Sequence, residues 1–203
     1  MDLGYFSLLI IAYLFGSISS AIIVCKLLTL PDPRIVGSHN PGATNVLRIG
    51  GTRAAVATLV GDVIKTALPL LLAAYLDYSS EHLAWIGVCA LLGHCFPLYF
   101  SFKGGKGVAS MMAVITLVIP PFCILAIGSW LISAWTFRKS SVASLITAII
   151  IPIFTYQFYP QLLLALTSLS VVVLLRHRIN IVNIIQGKEP LIGENKNNSQ
   201  QNP

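Results

Sequence analysis

The sequence predicts an all-α integral membrane protein with about seven transmembrane helices, some of them short, the N-terminus outside and the C-terminus cytoplasmic. Three observations predict it. Of the 203 residues, 56% are hydrophobic and 10% are charged, whereas a soluble domain is about 45–50% apolar and about 25% charged. The mean hydropathy is +0.81. All but one of the 13 lysines and arginines lie between or at the edges of the apolar runs, as expected when basic loops stay on the cytoplasmic side. A chain this apolar cannot cover itself with polar surface in water. A soluble enzyme, a nucleic-acid-binding domain and a disordered tail protein are therefore excluded, despite the net charge of +6.

The first run, residues 5–28, ends at Pro31-Asp32-Pro33. It has no basic region before it and no A-x-A site after it, so it is expected to remain as a helix and not to be cleaved as a signal peptide. The second run, 54–76, ends at Asp77, and the third, 83–100, ends at Lys103 and two glycines. Run 108–137 carries Pro120-Pro121 near its middle, and runs 141–158 and 161–175 meet at Tyr159-Pro160. Such prolines mark turns. Basic clusters follow the first, third, fourth and last runs, while the segment 77–82 has two acids and no lysine or arginine. All the clusters share one side if Pro120-Pro121 and Tyr159-Pro160 are external turns, which gives seven spans. Splitting 108–137 leaves helices of roughly 18 and 24 Å at 1.5 Å per residue, short for a core of about 30 Å. One kinked span is the alternative, and it puts Arg138 and Lys139 outside. Residues 1–186 are read as one transmembrane helical domain, and 187–203 as a flexible polar cytoplasmic tail with no catalytic role. Cys25, Cys89, Cys95 and Cys123 show no C-x-x-C and no zinc spacing, and are expected to pack as small hydrophobes.

Five polar features interrupt this apolar chain. Ala12, Gly16 and Ser20 fall four residues apart, the spacing of a small-residue seam that admits a neighbouring helix; Ser17 or Ser20 could instead line a site. The loop Gly37-Ser38-His39-Asn40-Pro41-Gly42-Ala43-Thr44-Asn45 leads to Arg48. It combines turn chemistry with neutral hydrogen-bonding groups and a guanidinium suited to phosphate or carboxylate. Asp62 and Lys65 share a helix face in the second run, as a structural ion pair or as groups that orient a site from behind. Gly104-Gly105-Lys106-Gly107 opens the fourth run and can cradle an anion with backbone amides and a helix N-terminus. It is not a Walker A loop, because Phe100 and Gly107 stand where that motif needs Gly and Ser/Thr. Finally, Arg138-Lys139-Ser140-Ser141 and Arg176-His177-Arg178-Ile179-Asn180 lie on the same expected face, each by itself a positive-inside anchor. Together these groups imply an anionic, phosphorylated ligand handled from the cytoplasmic side.

These segments resemble the PlsY family of bacterial membrane acyltransferases, which acylate glycerol 3-phosphate from an acyl-phosphate donor. The resemblance rests on Gly16-Ser17-Ile18-Ser19-Ser20-Ala21, on Gly37 to Arg48, and on Gly93-His94-Cys95-Phe96-Pro97 with Phe102-Lys103-Gly104-Gly105-Lys106-Gly107-Val108-Ala109. It extends to Ser140-Ser141 and to His177 with Asn180. It implies Ser38, Arg48, Lys106 and His177 as catalytic groups. It implies Asn40, Thr44, Asn45, Gly104, Gly105, Gly107, Ser141 and Asn180 as substrate contacts. Asp62, Lys65 and His94 stand behind the site, His94 also as an alternative base. Two positions depart from the family. Ser19 stands where Pro is usual, so the first helix is expected to be less kinked. His39 stands where Gly is usual and will strain the loop if that position needs a positive φ.

The resemblance implies transfer of a fatty acyl group to glycerol 3-phosphate in the bacterial inner membrane, with lysophosphatidic acid and inorganic phosphate as products. No cofactor and no metal are expected. The expected partners are acyl-phosphate, glycerol 3-phosphate, the lipid bilayer and the soluble enzyme that makes acyl-phosphate; nucleic acid is not among them. The His-x-x-x-x-Asp dyad of other acyltransferases is absent. Five residues after His39, His82, His94 and His177 stand Thr44, Gly87, Tyr99 and Val182. An acyl-phosphate is already activated and needs less help from a base. A phosphate oxygen is expected to accept the hydroxyl proton, with His94 or His177 as the rival base. An anion transporter and a non-catalytic membrane subunit are the competing classes.

Overall fold

The structure, a computed structural model, describes residues 3–194. Its α-helices are α1 (Leu3–Gly16), α2 (Ser20–Leu27), α3 (Ala43–Tyr75), α4 (Ser80–Cys95), α5 (Val108–Val118), α6 (Pro120–Phe137), α7 (Ser140–Phe158), α8 (Leu163–Arg176) and α9 (Arg178–Ile185). Short 3-10 turns at Leu98–Phe100 and Pro160–Leu162 complete the regular structure, and there is no strand among the described residues. The expected all-α class is met. Five stretches are long and apolar enough to cross a membrane: Leu3–Leu27, Ala43–Tyr75, Ser80–Phe100, Pro120–Phe137 and Ser140–Phe158. α8 and α9 make a sixth if the pair, bent by 57°, is one span. α5, with 11 residues, is only about 16 Å long.

The breaks follow from backbone chemistry. Pro120 and Pro121 sit in the first turn of α6, where a missing N–H costs nothing, so run 108–137 divides there as expected. Ser79 caps α4 by accepting from the His82 amide. The second run differs from expectation. α3 begins at Ala43, not near Ala54, and is broken at Gly51 (φ 74°, ψ −172°). A residue with a Cβ adopts that conformation only under strain. Thr44, Asn45 and Arg48 therefore ride on a short helical piece, 43–50, and not on a loop.

α4 is the centre of the bundle and packs against α1, α3, α5 and α8. Its contact with α1 is backbone on backbone. A Cβ on Gly16 would fall on the Ala90 carbonyl oxygen, and one on Gly93 on that of Tyr13. Ala12 is fully buried, and Gly16 makes the close approach to α4, whereas Ser20, on α2 beyond the break, packs against Gly61 of α3. The opposite faces carry exposed Ile124, Ile132, Trp135, Ile153 and Leu164, side chains suited to lipid.

The first run is interrupted at Ser19 although Leu3–Leu27 remains one apolar span. α1 and α2 are separated at residues 17–19, with Ser19 extended (φ −93°, ψ 97°). The reason lies in α3. Lys65 Nζ donates to the freed carbonyl of Ile18 at 2.6 Å and pairs with Asp62 Oδ1 at 2.9 Å. A buried cation that satisfies the broken ladder makes proline unnecessary. The tail expected from Gly187 onward is not free over its first part. Glu189 is buried, and the Ile192 amide donates to the Arg138 carbonyl at 2.8 Å. The remainder, 195–203, lies outside the described residues.

Asp62→Ala leaves Lys65 without its counter-charge in an apolar interior and should destabilise the folded protein by about 3–5 kcal/mol. Asp62→Ala with Lys65→Met should recover part of that loss, since only the Ile18 carbonyl then lacks a partner. Thermal unfolding in detergent measures both; a double variant no more stable than the single one contradicts the pairing.

Candidate functional site

Three stretches of chain meet at one end of the bundle: the 28–50 segment, the 94–109 segment, and the end of α8 together with residues 177–194. The first is built around Asn45, which is 1% exposed. Its Nδ2 donates to the carbonyls of Pro33 at 2.9 Å and Val36 at 3.0 Å, and its Oδ1 accepts from the Ser38 amide at 2.8 Å. Asn45, expected as a substrate contact, is thus the post around which the loop is wound. Ser38 and Asn40 are half-buried on that loop, and Thr44 is half-buried in the first turn of α3. His39 has φ 57°, so the position does require the left-handed region and the histidine is strained there. Arg48 lies one helical turn beyond Asn45. One of its terminal nitrogens donates to the Leu191 carbonyl at 3.3 Å, and its buried Nε has no partner.

The second stretch is the glycine turn. The Gly105 amide donates to the His94 carbonyl at 3.1 Å. A Cβ on Gly104 would strike that same carbonyl oxygen, and one on Gly105 would strike His94 Nε2. Glycine is needed because the turn lies directly on the end of α4. Gly107 (φ 84°) then opens α5. The amides of Lys106 and Gly107 take no backbone partner among the described residues, and those of α5's first turn cannot find one within the helix. Such an arrangement can cradle an anion. His94 lies behind it with Nδ1 3.5 Å from Asp62 Oδ1, a long approach for a hydrogen bond. Lys106 has Glu189, Arg48 and Arg176 as charged neighbours, and burial lowers its ammonium to a pKa of about 8.

The third stretch supplies His177 and Asn180. His177 is 2% exposed, and its Nδ1 lies 2.7 Å from the Val173 carbonyl. A carbonyl only accepts, so Nδ1 carries the proton and Nε2 is left as an acceptor. Lys106, Glu189 and Arg176 are its charged neighbours. Asn180 Nδ2 donates to Glu189 Oε1 at 2.7 Å. Ser141 is buried at the start of α7 and its Oγ has no partner. Arg48, Lys106, His177 and Asn180 therefore share one charged neighbourhood through Glu189, while Asp62 and Lys65 lie deeper, behind His94. No group of three or more His, Cys, Asp or Glu side chains among the described residues is placed to hold a metal ion.

Two residues of this neighbourhood escaped the sequence expectations. Arg176 reads as an anchor for the membrane surface, yet it reaches the glycine turn. Glu189 reads as part of a polar tail. The one signal for it was its sign, a single carboxylate next to a basic cluster.

A family model described as "Glycerol-3-phosphate acyltransferase" matches residues 6–187. A glycerol-3-phosphate acyltransferase of Vibrio vulnificus is 46% identical over 196 residues, covering 97% of each chain. Among solved structures, the crystal structure of PlsY (YgiH), an integral membrane glycerol 3-phosphate acyltransferase, superposes in its glycerol 3-phosphate form with a TM-score of 0.88. That match has 32% identity and covers 98% of this chain and 100% of the other. The lysophosphatidic acid form of the same enzyme gives a TM-score of 0.84 at 32% identity, covering 93% and 95%.

A lysine held at a pKa of about 8 loses its positive charge as the pH rises through that value. Binding of inorganic phosphate should therefore weaken between about pH 7.5 and 9, and Lys106→Arg should move that loss to higher pH because a guanidinium stays charged. Calorimetric titration across this range checks it; identical profiles for the two proteins contradict it.

Proposed function

The chain belongs to the glycerol-3-phosphate acyltransferase family, and we propose that it transfers a fatty acyl group from acyl-phosphate to glycerol 3-phosphate. The products are lysophosphatidic acid and inorganic phosphate. The observation that carries this reading is the convergence of Arg48 and Lys106 beside the open amides of the glycine turn. Two phosphates that repel one another must be held together for the reaction, and this group of donors suits that task. The family, and the likeness to an enzyme solved with glycerol 3-phosphate and with lysophosphatidic acid, support the acceptor and the product.

In this reading the glycine turn and Lys106 hold one phosphate and Arg48 the other. Ser38, Asn40, Thr44 and Ser141 offer neutral hydrogen bonds around them, and Asn180 orients the glycerol. A glycerol hydroxyl oxygen forms the new ester bond to the acyl carbon, and the acyl carbon–phosphate oxygen bond breaks. The hydroxyl proton passes to a phosphate oxygen, so that hydrogen phosphate leaves and charge balances. His177 Nε2, left as an acceptor, is the rival protein acceptor for that proton; His94 lies behind the glycine turn. The anhydride supplies the leaving group, so the protein contributes position and positive charge.

The family likeness and the clustering of basic residues at the site's end of the bundle support seven crossings, with α5 and α8 counted as short spans. In this reading the N-terminus lies outside, and the C-terminus and the site lie on the cytoplasmic face of the bacterial inner membrane. A site at that face can receive acyl-phosphate from a soluble enzyme that makes it, while the acyl chain stays in the bilayer.

Purified protein in a bilayer mimic should form lysophosphatidic acid and phosphate from acyl-phosphate and glycerol 3-phosphate, and should not accept acyl-CoA. Arg48→Lys should lower kcat/KM by about a hundredfold, on the scale of two charge-assisted hydrogen bonds. Mass detection of the product with either donor decides the matter; product from acyl-CoA alone overturns the proposed donor.

A further inference from the structure

Arg176 is not aimed at the open side of the site. Its Nε donates to the Gly105 carbonyl at 3.0 Å and a terminal nitrogen donates to the Gly104 carbonyl at 2.7 Å. Its guanidinium also lies 5.2 Å from the centre of the Phe96 ring, a cation–π contact that fixes the plane of the fork. One cation thus grips two successive peptide groups from 71 and 72 residues away in the chain.

Peptide planarity converts that grip into an orientation. Among the described residues every peptide bond is trans, so each carbonyl points opposite to the N–H of the same peptide unit. The Gly104 carbonyl faces Arg176, and the Gly105 amide accordingly points the other way, to the His94 carbonyl. The Gly105 carbonyl also faces Arg176, so the Lys106 amide must point away from it, where it has no backbone partner. Two adjacent glycines have no side chain to resist a peptide flip. A flipped Gly105–Lys106 unit would present a carbonyl oxygen, and not an N–H, to an anion.

We propose that Arg176 is a positioning residue for the phosphate cradle: it pins the Gly104 and Gly105 carbonyls and thereby keeps the Lys106 amide presented to the phosphate of glycerol 3-phosphate. The inference rests on the function proposed above and takes the phosphate at the glycine turn to be that of glycerol 3-phosphate. A lysine cannot reproduce it, because an ammonium on a flexible stem does not make the planar two-carbonyl fork. Arg176 contacts neither reactant and acts only through the turn.

The test compares the parent full-length protein with Arg176→Lys and Arg176→Gln in the same bilayer mimic. Losing one pinned amide donor should raise KM for glycerol 3-phosphate by about tenfold in Arg176→Lys, the scale of a hydrogen bond to a charged group. KM for the acyl donor should stay within about twofold, since the other phosphate is held elsewhere. The same variant should weaken inorganic phosphate binding by a similar factor and speed amide hydrogen exchange at residues 104–107. Unchanged KM for glycerol 3-phosphate in both variants overturns the proposal. So does a fall in rate that only tracks the folded fraction, with both KM values unchanged. The phosphate titration and the exchange need no turnover. If the parent fails to acylate glycerol 3-phosphate, the assignment of function fails, and equal phosphate affinity in parent and Arg176→Lys would separately sink the clamp.

Discussion

Like charges gathered at the edge of an apolar bundle are the constraint on which the site depends. Arg48, Lys106 and Arg176 are electrostatic neighbours, and at low dielectric their repulsion is several times stronger than in water. Each is balanced differently. Arg176 gives its donors to two backbone carbonyls and its face to Phe96. Arg48 is close to Glu189 and Glu194. Lys106 yields part of its charge, its pKa lowered by burial. Glu189 lies near Arg48 and Lys106, an attraction that helps return residues 187–194 to the bundle. Without that carboxylate the cluster would favour anions more strongly but would hold its own shape less well.

The same rule operates deeper, where lipid gives no solvent to a charge. Asp62 and Lys65 pair, and Lys65 also satisfies the carbonyl left open where α1 gives way to α2. His94 lies against Asp62 on one side and the glycine turn on the other. A single line of contact therefore runs from the break in the first helix, through the buried ion pair, to the glycine turn. This links the two glycine-rich features of the sequence. The α1–α4 seam at Gly16 and Gly93 sets how near α4 lies to α1, and the end of α4 is the floor on which Gly104 and Gly105 rest.

The all-helical class and the helix breaks are legible because they are carried by composition and punctuation: long apolar runs, the proline pair at 120–121, and Tyr159-Pro160. The elements of the site were legible where residue type and chemistry coincide, as with Arg48, Lys106 and the glycines. What escaped is long-range or backbone-borne. The break at Gly51 looks like one more glycine in a Gly-Gly pair. The roles of Asn45 and Arg176 come from carbonyls they bond, and a carbonyl has no letter in the sequence. Arg176 was credited to the membrane surface because a basic residue after an apolar run needs no other explanation. Glu189 was credited to the tail because polar composition around it outweighed its sign. In each case the local pattern was sufficient by itself, and only the fold brought the second partner.

His39 illustrates how such a site tolerates a residue at odds with its local conformation. At φ 57° a histidine is strained by roughly 1 kcal/mol relative to glycine. Neither the exposed imidazole nor its neighbours relieve that strain through any bond of the side chain among the described residues. The surrounding loop does. Asn45 fixes the Pro33 and Val36 carbonyls before it and the Ser38 amide beside it, while the His39 amide itself donates to Val36. Four hydrogen bonds over seven residues of loop are worth more than one unfavourable torsion. The conformation at residue 39 is thus imposed by Asn45 from the helix beyond the loop, and the residue type there is free to vary at small cost. The same logic holds for the glycine turn, where the shape is imposed from α4 and α8. In both halves of the proposed site, the backbone is held by a side chain from another part of the chain.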